Sequence, residues 1–147
     1  MFNLSYNQYN ANGNNSVLFT EPFVFLEDTK LYTILIAEDM YDNFLLLKEI
    51  LKDKYTVIYA NNGIDTIQLY DCYEPDLILM DLRLPVLDGQ ETIKIIRRIS
   101  DTTPIVVISA CSSDNEIQKA FDNGCNEYVI KPICRNKIKT IVNRYLT

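Results

Sequence analysis

The chain has 147 residues, 48% of them apolar, with 20 acidic against 14 basic side chains and no histidine. That length and balance suit one compact domain with a tail and argue against wholesale disorder. The net charge of −6 repels phosphate backbones and anionic lipid, so direct nucleic-acid binding is not expected; the missing histidine excludes a Ser-His-Asp hydrolase, a Cys-His protease and a self-phosphorylating histidine kinase on this chain.

Residues 1–29 read as a tail or linker. Asn3, Asn7, Asn10, Asn12, Asn14 and Asn15 give its first half a polar, low-complexity composition, and two short apolar stretches follow, Val17 to Thr20 and Phe23 to Leu26, separated by Glu21 and Pro22. From residue 30 a regular alternation predicts a single domain to residue 147. Thr33 to Ala37 is the first expected strand, followed by helical spacing in Phe44, Leu47 and Leu51. Tyr55 to Ala60 comes next, with a weaker helical segment around Ile64 and Ile67. Leu77 to Met80 precedes the stripe Ile95, Ile96 and Ile99; Ile105 to Ile108 precedes Ile117, Ala120 and Phe121; Tyr128 to Ile130 precedes Ile138, Ile141, Val142 and Tyr145.

Several of these strands are continuously apolar rather than alternating, which is the pattern of parallel strands covered on both faces. Five strand and helix pairs joined by right-handed crossovers predict an α/β fold, a doubly wound five-stranded parallel sheet with helices on both faces. Its ligand site belongs outside the carboxyl ends of the strands, where the strand order reverses. Asn62-Gly63 and Asp88-Gly89 read as turns feeding helices.

At that edge the sequence places Glu38 and Asp39 after the first strand, Asp81 after the third, Ser109 after the fourth and Lys131 after the fifth. Three carboxylates gathered in one place repel one another unless a cation neutralises them, and hard oxygen ligands in that number suit Mg²⁺, with Mn²⁺ as an alternative. A metal site half built by protein and completed by a phosphate oxygen suits phosphoryl transfer, in which Asp81 supplies the nucleophile while Lys131 and Ser109 meet charge on the phosphoryl oxygens.

Separated motifs then agree on one family. Ile34-Leu35-Ile36-Ala37-Glu38-Asp39, Leu77-Ile78-Leu79-Met80-Asp81 with Pro85 and Gly89 following, Val107-Ile108-Ser109-Ala110 and Tyr128-Val129-Ile130-Lys131-Pro132 together resemble the receiver domains of two-component response regulators, over roughly four-fifths of the chain from Tyr32. The resemblance implies the flavodoxin-like strand order 2-1-3-4-5 and Asp81 as phosphoacceptor. It implies Glu38 and Asp39 as metal-site acids, with the Arg83 backbone carbonyl completing the shell, and Lys131 and Ser109 as phosphoryl ligands. It further implies a switch through Ser109 and Tyr128 that alters a face made by the fourth helix, fifth strand and fifth helix. The implied partners are a histidine kinase or histidine phosphotransfer domain, a downstream protein on that face, and a second copy of the chain.

Glu38-Asp39 with Asn43, together with Asn62-Gly63 and Lys131-Pro132-Ile133, looks most like receivers attached to hybrid histidine kinases, although Met40 departs from the asparagine common there. In that setting residues before Thr29 would be the incoming linker. Such a domain catalyses its own aspartyl phosphorylation and dephosphorylation without turning over a separate small substrate. A receiver-like module that binds a partner without phosphorylation is the alternative. A phosphatase with an aspartate nucleophile commonly carries a second acid two residues on, where this chain has Arg83.

Cys72, Cys111, Cys125 and Cys134 show neither zinc-finger nor redox spacing and read as reduced, mostly buried thiols. No apolar run approaches the roughly 20 residues that span a bilayer, and the N-terminus lacks the basic and apolar regions of a signal peptide. The expected location is therefore the cytoplasm, either free or as the cytoplasmic part of a membrane-bound hybrid kinase.

Overall fold

A computed structural model describes residues 30–147, so the expected tail and its two apolar stretches lie outside the described residues. The elements follow in strict alternation: β1 (Thr33–Ala37), α1 (Tyr41–Leu51), β2 (Thr56–Ala60), α2 (Gly63–Tyr73), β3 (Leu77–Met80), α3 (Gly89–Ile99), β4 (Ile105–Ser109), α4 (Asp114–Asn123), β5 (Glu127–Ile130) and α5 (Arg135–Tyr145). All strand pairs are parallel, in the order β2-β1-β3-β4-β5. The direction of winding changes between β1 and β3, which puts the topological switch point at their carboxyl ends.

The strands form because their residues can be buried on both sides. Ile34, Ile36, Leu77, Leu79, Val106, Ile108 and Val129 pack under α1 and α5 against Phe44, Leu47, Ile138, Ile141 and Val142. The intervening residues Leu35, Ala37, Ile78, Met80, Ile105 and Val107 face the other way, toward Tyr70, Ile93, Ile96 and Ala120 of α2, α3 and α4. Each fully buried aliphatic side chain contributes about 1.5–3 kcal/mol. Two such layers explain why the apolar runs are unbroken.

Local signals set the helix ends. Asn62 caps α2 by accepting a hydrogen bond from the Asp65 N–H at 2.8 Å, Asp88 caps α3 through Glu91 N–H at 2.9 Å, and Ser113 caps α4 through Glu116 N–H at 3.3 Å. At the far end of α4, Gly124 takes φ 112°, a left-handed conformation that favours glycine.

Two expectations need correction. The apolar stripe of α3 is rotated: Ile93 and Ile96 are buried, but Ile99 is 52% exposed, because it is the last residue of the helix and borders an open cleft shared with Tyr70 and Thr103. The cysteines are not mostly buried. Only Cys125 is; Cys72 lies on the outer side of α2, Cys134 precedes α5 in an exposed turn, and Cys111 is half-buried.

Candidate functional site

The polar residues at the rim are held as rigidly as the strands that carry them. Glu38 follows the last residue of β1, yet its N–H still donates to the Ala60 carbonyl at 3.0 Å; the N–H of Asp81 donates to the Ala37 carbonyl at 2.8 Å, and that of Lys131 to the Ser109 carbonyl at 2.9 Å. Glu38, Asp81 and Lys131 thus each stand one step past a strand on backbone that continues the ladder, while Ser109 is the last residue of β4 itself. Gly89 keeps this rim tight: its N–H donates to the Leu82 carbonyl at 2.9 Å, and its Cα lies against the Asp81 carbonyl, where a Cβ would collide.

Carboxylate oxygens of Glu38, Asp39 and Asp81 lie within 4.8 Å of one another. Glu38 and Asp81 are buried and Asp39 is exposed, so the cluster has a closed floor and an open mouth. The Lys131 ammonium donates to Glu38 Oε2 at 2.8 Å and to Asp81 Oδ2 at 2.7 Å. Backbone N–H groups take the remaining oxygens, Met40 to Glu38 Oε1 at 3.1 Å and Arg83 to Asp81 Oδ1 at 2.9 Å. Among the described residues no buried side-chain polar atom lacks a partner.

The electrostatics follow from this packing. Burial pushes the Glu38 carboxyl above its ordinary range, and the charge of Asp81 adds to the rise, against the opposing hydrogen bonds from Lys131 and the Met40 N–H. For Lys131 burial works downward, but hydrogen bonds and charge from Asp81 and Glu38 outweigh it and leave the ammonium above its usual value. Three carboxylates against one ammonium leave two negative charges in the cluster, a deficit that matches one divalent cation. The donor set, all oxygen and open on one side, fits Mg²⁺ or Mn²⁺.

Ser109 closes the inner wall. It is fully buried, and its Oγ accepts the Cys111 N–H at 3.2 Å, which leaves the hydroxyl proton free to donate. Tyr128, half-buried on β5, donates its phenol to the Cys111 carbonyl at 2.9 Å, so the loop after Ser109 is tied to β5. Burial pushes the Tyr128 phenol above its ordinary value. The Arg83 side chain turns away from the cluster toward Glu116, 3.6 Å distant, and no acid stands in its place. Neither Ser109 nor Asp39 serves as a helix cap: Ser113 caps α4, and the N-cap position of α1 is Met40, without a side-chain cap. A feature not anticipated from sequence is Gln90, a buried amide between α3 and α4; its only trace in the sequence is a polar residue directly after Asp88-Gly89.

A doubly wound parallel sheet that presents acids from β1 and β3, a hydroxyl from β4 and a lysine from β5 at one edge defines a phosphoacceptor signalling module. The response regulator receiver domain model matches residues 34–143, and the chain belongs to that family. It is 30% identical over 114 residues to the sporulation initiation phosphotransferase F of Bacillus subtilis, covering 77% of this chain and 92% of that protein. Among solved structures it resembles a two-component response regulator from Clostridium difficile, at TM-score 0.75 and 29% identity over 78% of this chain and 95% of the other. It also resembles the Mn²⁺-bound form of the response regulator Rcp1, at TM-score 0.65 and 26% identity over 77% of this chain and 90% of that one. Among the described residues no helix is long and apolar enough to cross a membrane.

Proposed function

We propose that residues 30–147 form a receiver domain that takes a phosphoryl group onto Asp81 from the phosphohistidine of a histidine kinase or histidine phosphotransfer domain. The observation that carries this reading is the Lys131 ammonium bridging two buried carboxylates, Glu38 and Asp81, beside the open acid Asp39.

In the transfer a carboxylate oxygen of Asp81 attacks phosphorus, the P–N bond to the donor imidazole breaks, and the leaving nitrogen keeps the electron pair. Lys131 follows the charge onto the phosphoryl oxygens, and the buried Ser109 hydroxyl donates to another of them. Hydrolysis reverses the loading: water attacks phosphorus, the bond to the Asp81 oxygen breaks, and the carboxylate is restored. Mg²⁺ or Mn²⁺ would be held by Glu38, Asp39, Asp81 and the Arg83 backbone carbonyl; when bound, it supplies positive charge that offsets repulsion between the carboxylates and an incoming phosphate. The Mn²⁺-bound form of the similar protein Rcp1 supports a divalent cation as the ion involved.

Loading has a route outward. A phosphoryl oxygen that accepts the Ser109 hydroxyl proton draws that side chain toward Asp81, and the Cys111 N–H bonded to its Oγ couples the move to the loop whose carbonyl Tyr128 holds. The face of α4, β5 and α5 changes with it and offers its two states to a downstream protein or a second copy of the chain. The motif likeness noted above favours a hybrid histidine kinase as the setting.

The test is intact-mass measurement after incubation with acetyl phosphate and Mg²⁺. The wild type should gain one phosphoryl group and the folded Asp81→Asn variant none. A label that persists in that variant removes Asp81 from the role.

A further inference from the structure

The helix α4 is thinly anchored. Of its ten residues only Ala120 is fully buried, while Phe121 is 43% exposed and Ile117 is partly covered. An element with so little buried apolar surface is easily displaced. Polar ties to α3 make up the difference, and they centre on Gln90. This residue is 8% exposed; its Nε2 donates to the Glu116 carbonyl at 3.1 Å, and its Oε1 accepts from Asn123 Nδ2 at 2.7 Å. One amide therefore holds the first turn and the last residue of α4 together.

The same amide is joined to the site. Gln90 directly follows Gly89, whose backbone packs on the Asp81 carbonyl and bonds to Leu82. Beside it a cleft of ≈ 170 Å³, lined by Leu82, Arg83, Asp88, Gln90, Glu116 and Lys119, leaves α4 room to shift against α3.

We propose that Gln90 is a positioning residue, a latch that holds α4 in the arrangement seen here and opposes its displacement when the site is loaded. The proposal rests on the phosphoacceptor reading above. Any shift of α4 breaks both bonds and strands a buried amide, so the latch adds to the free energy of switching. Ligands that favour the displaced state are weakened by the same factor. Gln90 links site and helix through α3, a route separate from Ser109 and Tyr128.

Beryllofluoride with Mg²⁺ serves as the probe, because it mimics an aspartyl phosphate without covalent turnover. Its affinity would be measured on the full chain for wild type, Gln90→Leu, which fills the same space without polar groups, and Asn123→Ala, which cuts the latch from the other side. We expect about fivefold tighter binding in each variant, with faster amide exchange confined to α4. Unchanged or weaker binding in both folded variants overturns the latch. Failure of the wild type itself to bind the probe, by contrast, overturns the phosphoacceptor reading on which the latch rests.

Discussion

Lys131, at the end of β5, reaches past β4 to place its ammonium 2.7 Å from the Oδ2 of Asp81, at the end of β3. The same nitrogen bonds Glu38 at the end of β1, so one cation ties together strands that the chain reaches far apart in sequence. Buried ion pairs of this kind do not guarantee stability, but removing one partner strands the other.

Lys131→Met should therefore act twice. The two buried carboxylates lose their counter-charge, and the apo fold should lose about 3 kcal/mol in urea unfolding at neutral pH. Acetyl phosphate labelling of Asp81 should slow about 10²- to 10³-fold even where the variant is fully folded, since an electrostatic partner of the transferring group is gone. Labelling at the wild-type rate would show that the ammonium is structural only.

Glu38→Gln separates the needs of the fold from those of the metal site. Glu38 is 2% exposed and stands beside Asp81, so its charge costs the apo protein stability that the Lys131 bond only partly offsets. Without divalent ions, Glu38→Gln should be more stable than the wild type by about 1 kcal/mol. With Mg²⁺ at a hundred times its dissociation constant the wild type should gain about 2.7 kcal/mol, and the variant much less. Thermal midpoints with and without Mg²⁺ give both numbers, and equal metal gains would exclude Glu38 from the site.

The sheet and its polar rim were readable from sequence because both rest on local rules. Unbroken apolar runs such as Ile34 to Ala37 mean burial on two faces, and each run ends in a polar residue that the chain carries to the carboxyl edge of the sheet. Helix faces were less readable. Ile95, Ile96 and Ile99 fit a helical stripe as well as Ile93 and Ile96 do, and only the position of α3 between α2 and α4 decides which set is covered. The same holds for the thiols: Cys72 follows Asp71 and Cys125 stands between Gly124 and Asn126, neither inside an apolar run, yet one faces solvent from α2 and the other faces the core after the Gly124 turn. Gln90 was illegible for a related reason, since its partners Glu116 and Asn123 lie on another helix.

Cys125 gives a pH dependence with a definite sign. Burial pushes its thiol up to about 11, against the smaller opposing effect of Arg97. The unfolded thiol ionises first, near pH 8.5, so the contribution is fully present below that pH and is lost as pH rises toward 11. Relative to a Cys125→Ala variant, the wild type should lose on the order of 2 kcal/mol of stability between those limits. Chemical unfolding at pH 8 and pH 11 measures the difference, and parallel pH profiles would contradict the burial argument. At pH 8 a thiol reagent should label the exposed Cys72 and Cys134 well before Cys125.

Gly89→Ala should disturb chemistry more than stability. The new methyl group would meet the Asp81 carbonyl and the Leu82 Cα, both backbone, so the loop bearing Asp81 has to move. Misplacement of a reacting group by about 1 Å can cost around 10²-fold in rate. Single-turnover labelling should fall toward that extent, with a stability loss of about 1–3 kcal/mol in the same variant. A full labelling rate would mean that the rim tolerates the shift.

Arg97 offers the converse case, a residue needed for the fold and remote from the chemistry. Its guanidinium donates to the carbonyls of Gly124 at 2.8 Å, Ser100 at 3.2 Å and Thr103 at 2.8 Å, and to Asn126 Oδ1 at 2.9 Å. Asn126 Oδ1 also accepts the Ile105 N–H at 2.8 Å, so the end of α3, the turn before β5 and the start of β4 are knit at the edge opposite the acidic cluster. Burial of the guanidinium pulls its pKa below the ordinary arginine value, a measure of how far it is withdrawn from water. Arg97→Met strands several of these acceptors and should cost about 2–3 kcal/mol in urea unfolding. Arg97→Lys should recover little of that, because a single ammonium cannot span acceptors spaced for a planar fork. Labelling of Asp81 in the folded fraction of either variant should stay within about twofold of wild type, as expected for distant, independent sites. A labelling rate that falls in step with stability would show instead that the two edges of the sheet are coupled.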